Sequence, residues 1–309
     1  MKYKKPKFWD CPKTSFWSII LYPFSIIYLL LFNLVKILKI QEKFQIPIIC
    51  IGNIYLGGTG KTPLVLEVFN IVKSSGKNPG IVKKSYDYLY DEITMLQKTG
   101  KIFLDKDRKK SINSLISSDY NVAILDDGFQ DYSIDKSFSI LCFNGNQLIG
   151  NGFLIPAGPL RENFNSIKRA DCIIINGDKN YKFEDKVKKI SKEIKIFYSK
   201  YKIANLNSFK NKKIIAFTGI GNPSNFFKLL KDNNIKLLKS FAFPDHHNYS
   251  DQELKKLQKI STENQAIIIT TEKDYCRLNE NFKSNCEFVK VNLDKENKKD
   301  FINLIKSKI

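Results

Sequence analysis

The sequence predicts an α/β protein in which a parallel sheet carries helices on both faces, with a smaller α/β unit after it and an apolar helix before it. Three observations carry that expectation. Short apolar runs alternate with segments of helical periodicity, a glycine-rich loop lies between the first such strand and helix, and a charge-free run stands near the N-terminus. At 309 residues the chain is long enough for two domains, each burying its own core.

The first element is "FWSIILYPFSIIYLLLFNLV", Phe16 to Val35, 20 residues without a formal charge. At roughly 1.5 Å per residue a helix of that length just spans a hydrocarbon core of roughly 30 Å. No small-residue cleavage site follows it, which argues against a removable signal peptide. Lys2, Lys4, Lys5, Lys7 and Lys13 precede the run and Lys36, Lys39 and Lys43 follow it. Positive residues tend to stay on the cytoplasmic side, so this symmetry fits a helix lying in or dipping into the inner leaflet better than one that spans it. The competing reading is a buried first helix of a soluble domain, although such helices usually hold fewer than about 18 apolar residues. Pro23 reads as a tolerated bend.

"IPIICIGN" is an apolar run ending in glycine, as in a buried parallel strand, and "TPLVLEVFNIVKSSG" has apolar residues at helical spacing with Gly76 as its stop. Further strands are expected at "PGIVKK", "NVAILDD", "FSILCF" and "ADCIIIN", with helices at "EITMLQK" and "KSINSLISS". Periodicity fades around "SKYKIANLNSFKNKK". It restarts as the strand, turn and helix of "IIAFTGIGNPSNFFKLLKDNN", then "KLLKSFAF", the helix "DQELKKLQKIS", the strand "AIIITT", a late strand "CEFVKVNL" and a terminal helix. The expected division is an N-terminal apolar segment at 1–44, a core domain at 45–205 and a smaller α/β domain at 206–309.

The loop Tyr55, Leu56, Gly57, Gly58, Thr59, Gly60, Lys61, Thr62 has the ingredients of a P-loop. In such loops successive N–H groups and a helix N-terminus surround a phosphate, the lysine reaches the outer phosphates, and the hydroxyl of Thr62 would hold Mg²⁺. The strict pattern GxxxxGK[ST] fails at Tyr55, and the plain alternative is a glycine turn with an exposed lysine. Sixty-five residues after Lys61 an apolar strand ends in Asp126 and Asp127, where a carboxylate beside a P-loop contacts the metal. Taken alone, "DDG" is more often a turn.

Both histidines of the chain are adjacent, in "FPDHHNYS". One of them, oriented by Asp245 or another carboxylate, suits proton transfer, and the bland reading is a loop capped by Ser250 or Asp251 ahead of a helix. Arg161 in "GFLIPAGPLRE" offers a planar fork to a phosphate, or else forms a surface ion pair with Glu162. Asp91 and Glu92 stand where a helix begins, a position that favours acids anyway.

The net charge of +20 invites a nucleic-acid reading, yet only four of 51 basic residues are arginine and the chain carries no DNA- or RNA-binding motif. Excess lysine then serves a solvated or membrane-facing surface. None of the six cysteines forms a CxxC pair, and several lie in apolar runs, as reduced buried thiols of a cytosolic protein do.

Taken in order, "GNIYLGGTGKTP", "DDGFQ", "GNGFLIPAGPLRE", "FTGIGNPSNFF", "FPDHHNYS" and "TTEKD" closely resemble the tetraacyldisaccharide 4'-kinase family, the lipid A 4'-kinases of Gram-negative bacteria. The resemblance covers nearly the whole chain, the apolar helix included. It implies a P-loop NTPase-like fold and transfer of the γ-phosphate of ATP, with Mg²⁺, to the 4'-hydroxyl of a tetraacylated glucosamine disaccharide 1-phosphate. The product would be lipid IVA, made at the cytoplasmic face of the inner membrane, with the lipid substrate and the membrane surface as partners and no obligate protein partner implied.

Carried over by position, the family's atypical P-loop, which also lacks the first glycine, falls on Tyr55 to Thr62. The resemblance further implies Asp91 as the catalytic aspartate with Glu92 beside it, His246 as its partner, Lys61 against the phosphates, Arg161 as the arginine of the substrate loop, and Thr62, Glu92, Asp126 and Asp127 around the metal. Asp131 stands in place of the histidine that usually follows the "DDGFQ" motif, "KKSYDYLY" is a contracted form of an arginine- and glycine-rich loop, and "YDEI" keeps only the two acids of its motif. The rival reading from the residues is a membrane-associated P-loop ATPase switch that transfers no phosphate to a small molecule.

Overall fold

The computed structural model describes residues 5–11, 14–85, 90–98 and 100–309; the side chains of residues 90 and 91 lie outside that description. In chain order the elements are α1 (Phe16–Ile37), β1 (Ile48–Gly52), α2 (Lys61–Ser74), β2 (Pro79–Lys84), α3 (Tyr90–Gln97), β3 (Ile102–Asp105), α4 (Arg108–Ile116), β4 (Val122–Asp126) and β5 (Phe138–Asn144). There follow β6 (Cys172–Asn176), α5 (Tyr181–Ile190), β7 (Lys195–Ile203), β8 (Ile214–Thr218), α6 (Pro223–Asp232), β9 (Leu237–Ala242), α7 (Asp251–Asn264) and β10 (Ile267–Thr271). The chain closes with α8 (Glu272–Tyr275), α9 (Glu280–Lys283), β11 (Cys286–Val289), β12 (Val291–Lys295) and α10 (Lys298–Lys306).

Two compact units result. The larger holds residues 5–85, 100–200 and 293–309, and the described residues of the smaller are 90–98 and 201–292. The larger unit is built on an eight-stranded sheet of order β12-β7-β6-β5-β1-β4-β2-β3. Strand β1 is central, parallel to β4 on one side and β5 on the other, and every residue of these three strands is buried. That is why they read as unbroken apolar runs: a parallel strand covered on both faces has no wet side to alternate toward. Each fully buried Ile or Leu there contributes roughly 1.5–3 kcal/mol. The smaller unit carries a four-stranded parallel sheet of order β11-β10-β8-β9.

The division departs from the expected one in three places, each for a packing reason. Residues 5–44 are part of the larger unit, because Trp9 is buried with its indole N–H donated to Pro156 O and α1 is hydrogen-bonded to the 151–161 loop. Residues 90–98 leave the 45–205 domain: α3 belongs to the smaller unit, where Leu96 is buried and Glu92 pairs with Lys273. Finally, the late strand "CEFVKVNL" is two strands. Lys290 breaks it, β11 stays in the smaller sheet, and β12 joins the larger one. Beyond it α10 buries Phe301 and Ile305 against α2, and Lys295 forms a buried ion pair with Glu67. Two strands, β3 and β7, fall where no strand was expected. Strand β7 interleaves lysine with apolar residues, which blurs its period, and β3 is a four-residue edge strand, too short to show one.

The cysteines are free thiols, all buried except Cys11. Burial pushes the Cys142 thiol up to about 12, so it is an inert core group. Helix α1 is the one described helix long and apolar enough to cross a membrane, by length and composition.

Candidate active site

The loop after β1 is held from below by Asn53. Its buried amide donates to Tyr55 O (2.7 Å), Gly57 O (3.2 Å) and Thr59 Oγ1 (3.1 Å), so three loop positions are tied to one side chain. Asn176, at the end of β6, donates to Thr59 O at 2.6 Å. Gly57 (φ 145°) and Gly60 (φ 87°) occupy left-handed backbone that a side chain would strain, and Gly60 caps α2. Gly57 and Gly58 are exposed and the N-terminus of α2 follows at Lys61, an arrangement that suits a phosphate.

Tyr55, which breaks the strict motif, lays its ring beside Gly57 and carries its hydroxyl beyond the loop. It is 1% exposed, and its hydroxyl donates to Asp10 and accepts from Lys5 (3.0 Å). Burial, then the Asp10 contact, drives its acidity far down. On its other side the loop pairs with the 154–161 segment: Leu56 N donates to Pro159 O and Arg161 N to Ile54 O, both at 2.8 Å.

The register of β1 with β4 sets Ile51 opposite Asp126, so the two acids end their strand beside the loop. They are differently used. Asp126 is buried and ion-paired through Oδ2 with Lys83 of β2, while its Oδ1 is buried with no hydrogen-bond partner among the described residues. An orphaned carboxylate oxygen at this place fits a hard cation. Asp127 is in left-handed backbone (φ 58°), donates its N–H to Ile51 O (2.8 Å), and receives Arg161 Nη1 on both oxygens at 3.0 Å. Lys61 Nζ stands 3.5 Å from Oδ1 and Arg108 Nη2 donates to the Asp127 carbonyl at 2.8 Å. Burial alone would raise the Asp127 carboxyl; Lys61 and Arg161 outweigh it and hold the group far below the usual carboxylate range.

Around this pair lies a supporting layer. Gln130 accepts from Arg161 (3.2 Å) and donates to Asn53 O (2.9 Å) and Glu162 (3.0 Å). Glu162 is 3% exposed and also receives Tyr132 and Arg169, whose guanidinium lies 4.1 Å over the Phe129 ring. Asp131 faces Arg108 (3.3 Å) and Lys39 (3.8 Å), so an acid-cation pair occupies the position of the usual histidine.

In the smaller unit the adjacent histidines have opposite surroundings. His247 Nε2 meets Glu253 at 3.0 Å and stacks on Phe243, as part of the cap of α7. His246, in left-handed backbone (φ 54°), has Lys273 Nζ 3.2 Å from Nε2 and Arg277 Nη2 3.3 Å from Nδ1. Lys273 is also 3.1 Å from Glu92 Oε1, so Glu92 and His246 are joined through one ammonium group. Arg277 is anchored by Asp274, a fully buried carboxylate that also receives Thr218, Tyr249, Thr271 and Gly219 N. Asp91 is the residue before Glu92 on α3; its side chain lies outside the described residues, as do residues 86–89 of the contracted 83–90 loop.

Thus Lys61, Arg161, Asp126 and Asp127 come together in the larger unit, and Glu92 with His246 in the smaller. Thr62 sits in the first turn of α2, directly after Lys61. Sequence reasoning missed Lys83, Arg108 and Lys273. Each had a signal: a lysine inside an apolar strand, one of four arginines, and the lysine of "TTEKD".

The model of the family described as Tetraacyldisaccharide-1-P 4'-kinase matches residues 17–309. A tetraacyldisaccharide 4'-kinase of Pelagibacter ubique is 40% identical, over 98% of this chain and 97% of that protein. One from Rickettsia bellii is 32% identical over 90% of each. A crystal structure of LpxK from Aquifex aeolicus in complex with ATP is similar at a TM-score of 0.72 and 26% identity, over 94% of this chain and 98% of that one.

Proposed function

The chain belongs to the tetraacyldisaccharide-1-P 4'-kinase family, and from that premise we propose that it moves the γ-phosphate of ATP onto the 4'-hydroxyl of a tetraacylated disaccharide 1-phosphate, an intermediate of lipid A synthesis. It is an ATP-dependent kinase. The observation that carries this reading to particular residues is the convergence of Lys61 and Arg161 on Asp127 at the edge of the glycine loop.

In the reaction the loop amides from Leu56 to Thr62 and the N-terminus of α2 cradle the phosphates, while Lys61 and Arg161 offset the charge that builds on the transferred group. Thr62 and Asp126 would hold Mg²⁺, Asp126 through the oxygen that Lys83 leaves open, with Asp127 as a further acid of the site. Bound there, the ion supplies charge neutralisation to the outer phosphates. Asp91 with His246 accepts the proton of the attacking hydroxyl, and Lys273 fixes His246 and Glu92 relative to each other. Positioning and electrostatics carry most of such a reaction.

The acceptor's acyl chains stay in the bilayer, since each exposed CH₂ costs about 0.8 kcal/mol. Helix α1 meets them there: Phe16, Trp17, Ile20, Phe24, Ile27, Leu31 and Val35 are exposed on it, flanked by lysines suited to the anionic inner-membrane surface on the cytoplasmic side. Radiolabelled ATP with the lipid disaccharide 1-phosphate, resolved by thin-layer chromatography, tests the proposal. Label in the lipid supports it; label released only as inorganic phosphate, as from an ATPase switch, refutes it.

A further inference from the structure

We propose that Ser25 and Tyr28, on the inward face of α1, are positioning residues that hold the Arg161 loop in register with the glycine loop. The membrane-seeking helix is thereby a brace for phosphate transfer as well as an anchor.

Most of α1 presents large apolar side chains outward, but Ser18 and Ser25 are buried and Tyr28 is half-buried. Their spacings of seven and three place them on one helical face. A serine hydroxyl buried in an apolar helix is unfavourable unless it is hydrogen-bonded, and the usual escape is to bond back to its own helix. Ser25 does otherwise. Its hydroxyl donates to Leu154 O (2.9 Å) and accepts from Ala157 N (3.1 Å), clasping two backbone groups of the loop. One turn on, Tyr28 Oη donates to the carbonyl of Arg161 itself at 2.8 Å.

The loop transmits this hold. Arg161 N–H goes to Ile54 O and the Pro159 carbonyl takes Leu56 N–H, so the backbone gripped by α1 is the backbone paired with the glycine loop. The Arg161 side chain then meets Asp127. Ser18, receiving Asn151 Nδ2 at 3.0 Å, fastens the start of the same loop. Lipid anchoring by itself needs none of these hydroxyls, and alanine and phenylalanine would serve it better. The hydroxyls are explained by the loop they hold.

This inference rests on the assignment of Arg161 to phosphate transfer. The experiment compares Ser25→Ala and Tyr28→Phe in the full chain with the wild type, and each of them again in an Arg161→Ala background. Expected are unchanged sedimentation with vesicles of anionic phospholipid, a kcat lowered roughly three- to tenfold per hydroxyl, and a KM for ATP within about twofold. In the Arg161→Ala background the same changes should have less than about a twofold effect, because the group they act through is gone. Wild-type kcat in Tyr28→Phe, an equal fold-loss in both backgrounds, or a loss that follows vesicle binding would each overturn the inference. Should Ser25→Ala fail to fold, Tyr28→Phe decides alone. A wild-type chain that transfers no phosphate refutes the kinase reading instead, and the two failures are therefore distinct.

Discussion

Arg161 places a single guanidinium nitrogen 3.0 Å from both carboxylate oxygens of Asp127, and the Lys61 ammonium stands 3.5 Å from one of them. Asp127 is thus the counter-charge that keeps two cations side by side at the edge of the glycine loop. Their mutual repulsion in this partly buried place would otherwise drive them apart.

Arg161→Lys keeps the charge but loses the planar fork and its contacts to Asp127 and Gln130. We expect kcat to fall roughly 100-fold, close to the loss in Arg161→Ala, with the KM for ATP little changed. Steady-state kinetics with saturating lipid acceptor checks this. A lysine variant within about threefold of wild type would contradict the assignment.

The Lys83–Asp126 pair makes opposite predictions for stability and for activity. Removing one partner, as in Lys83→Met, leaves a buried carboxylate and should cost about 3–5 kcal/mol in urea unfolding. Replacing both, Lys83→Met with Asp126→Leu, should recover most of that stability and leave phosphate transfer abolished. If the double variant were as unstable as the single one, the pair would not be the compensating unit described.

Much of this was legible from the chain and some was not, for identifiable reasons. Fully buried strands such as β1, β4 and β5 announce themselves as apolar runs, and a glycine loop between strand and helix announces a phosphate site. Strand β7, in which lysines alternate with half-buried residues, has no such signature. The exchange of segments was invisible because it depends on tertiary pairing. Nothing local in "YDEITMLQ" says that it packs with α8, and only Lys290 marks the point where "CEFVKVNL" changes sheets. Tyr55 looked like a missing glycine because a motif records residue type and not direction; its ring lies along Gly57 and its hydroxyl reaches Asp10. Lys83 and Lys273 were hidden by the abundance of lysine elsewhere.

Because α10 covers α2, the C-terminal helix should matter to the nucleotide site. Phe301 is fully buried, and Phe301→Ala is expected to cost about 3–5 kcal/mol by chemical denaturation and to weaken ATP binding measured by calorimetry. Unaltered stability would show that the return of the chain to the larger unit adds nothing.

Glu253 supplies a pH test in the smaller unit. Hydrogen bonds from the Ser250 backbone, followed by His247, hold its carboxyl at about 2 against an ordinary 4.5. A depressed folded value means that its contribution is complete above 4.5 and is lost as pH falls toward 2. Glu253→Ala should therefore speed amide exchange in the first turn of α7 near neutral pH, by about 1 kcal/mol or less for so exposed a cap, and the difference should narrow through that acid window. A difference independent of pH would remove the charge from the explanation.

The most direct test of the central claim is ³¹P NMR of the lipid product together with the ADP formed. One ADP is expected for each new phosphate monoester at the 4'-position, with both signals lost in Asp91→Ala and His246→Ala. ADP produced without a phosphorylated lipid, or full transfer in both variants, would contradict it.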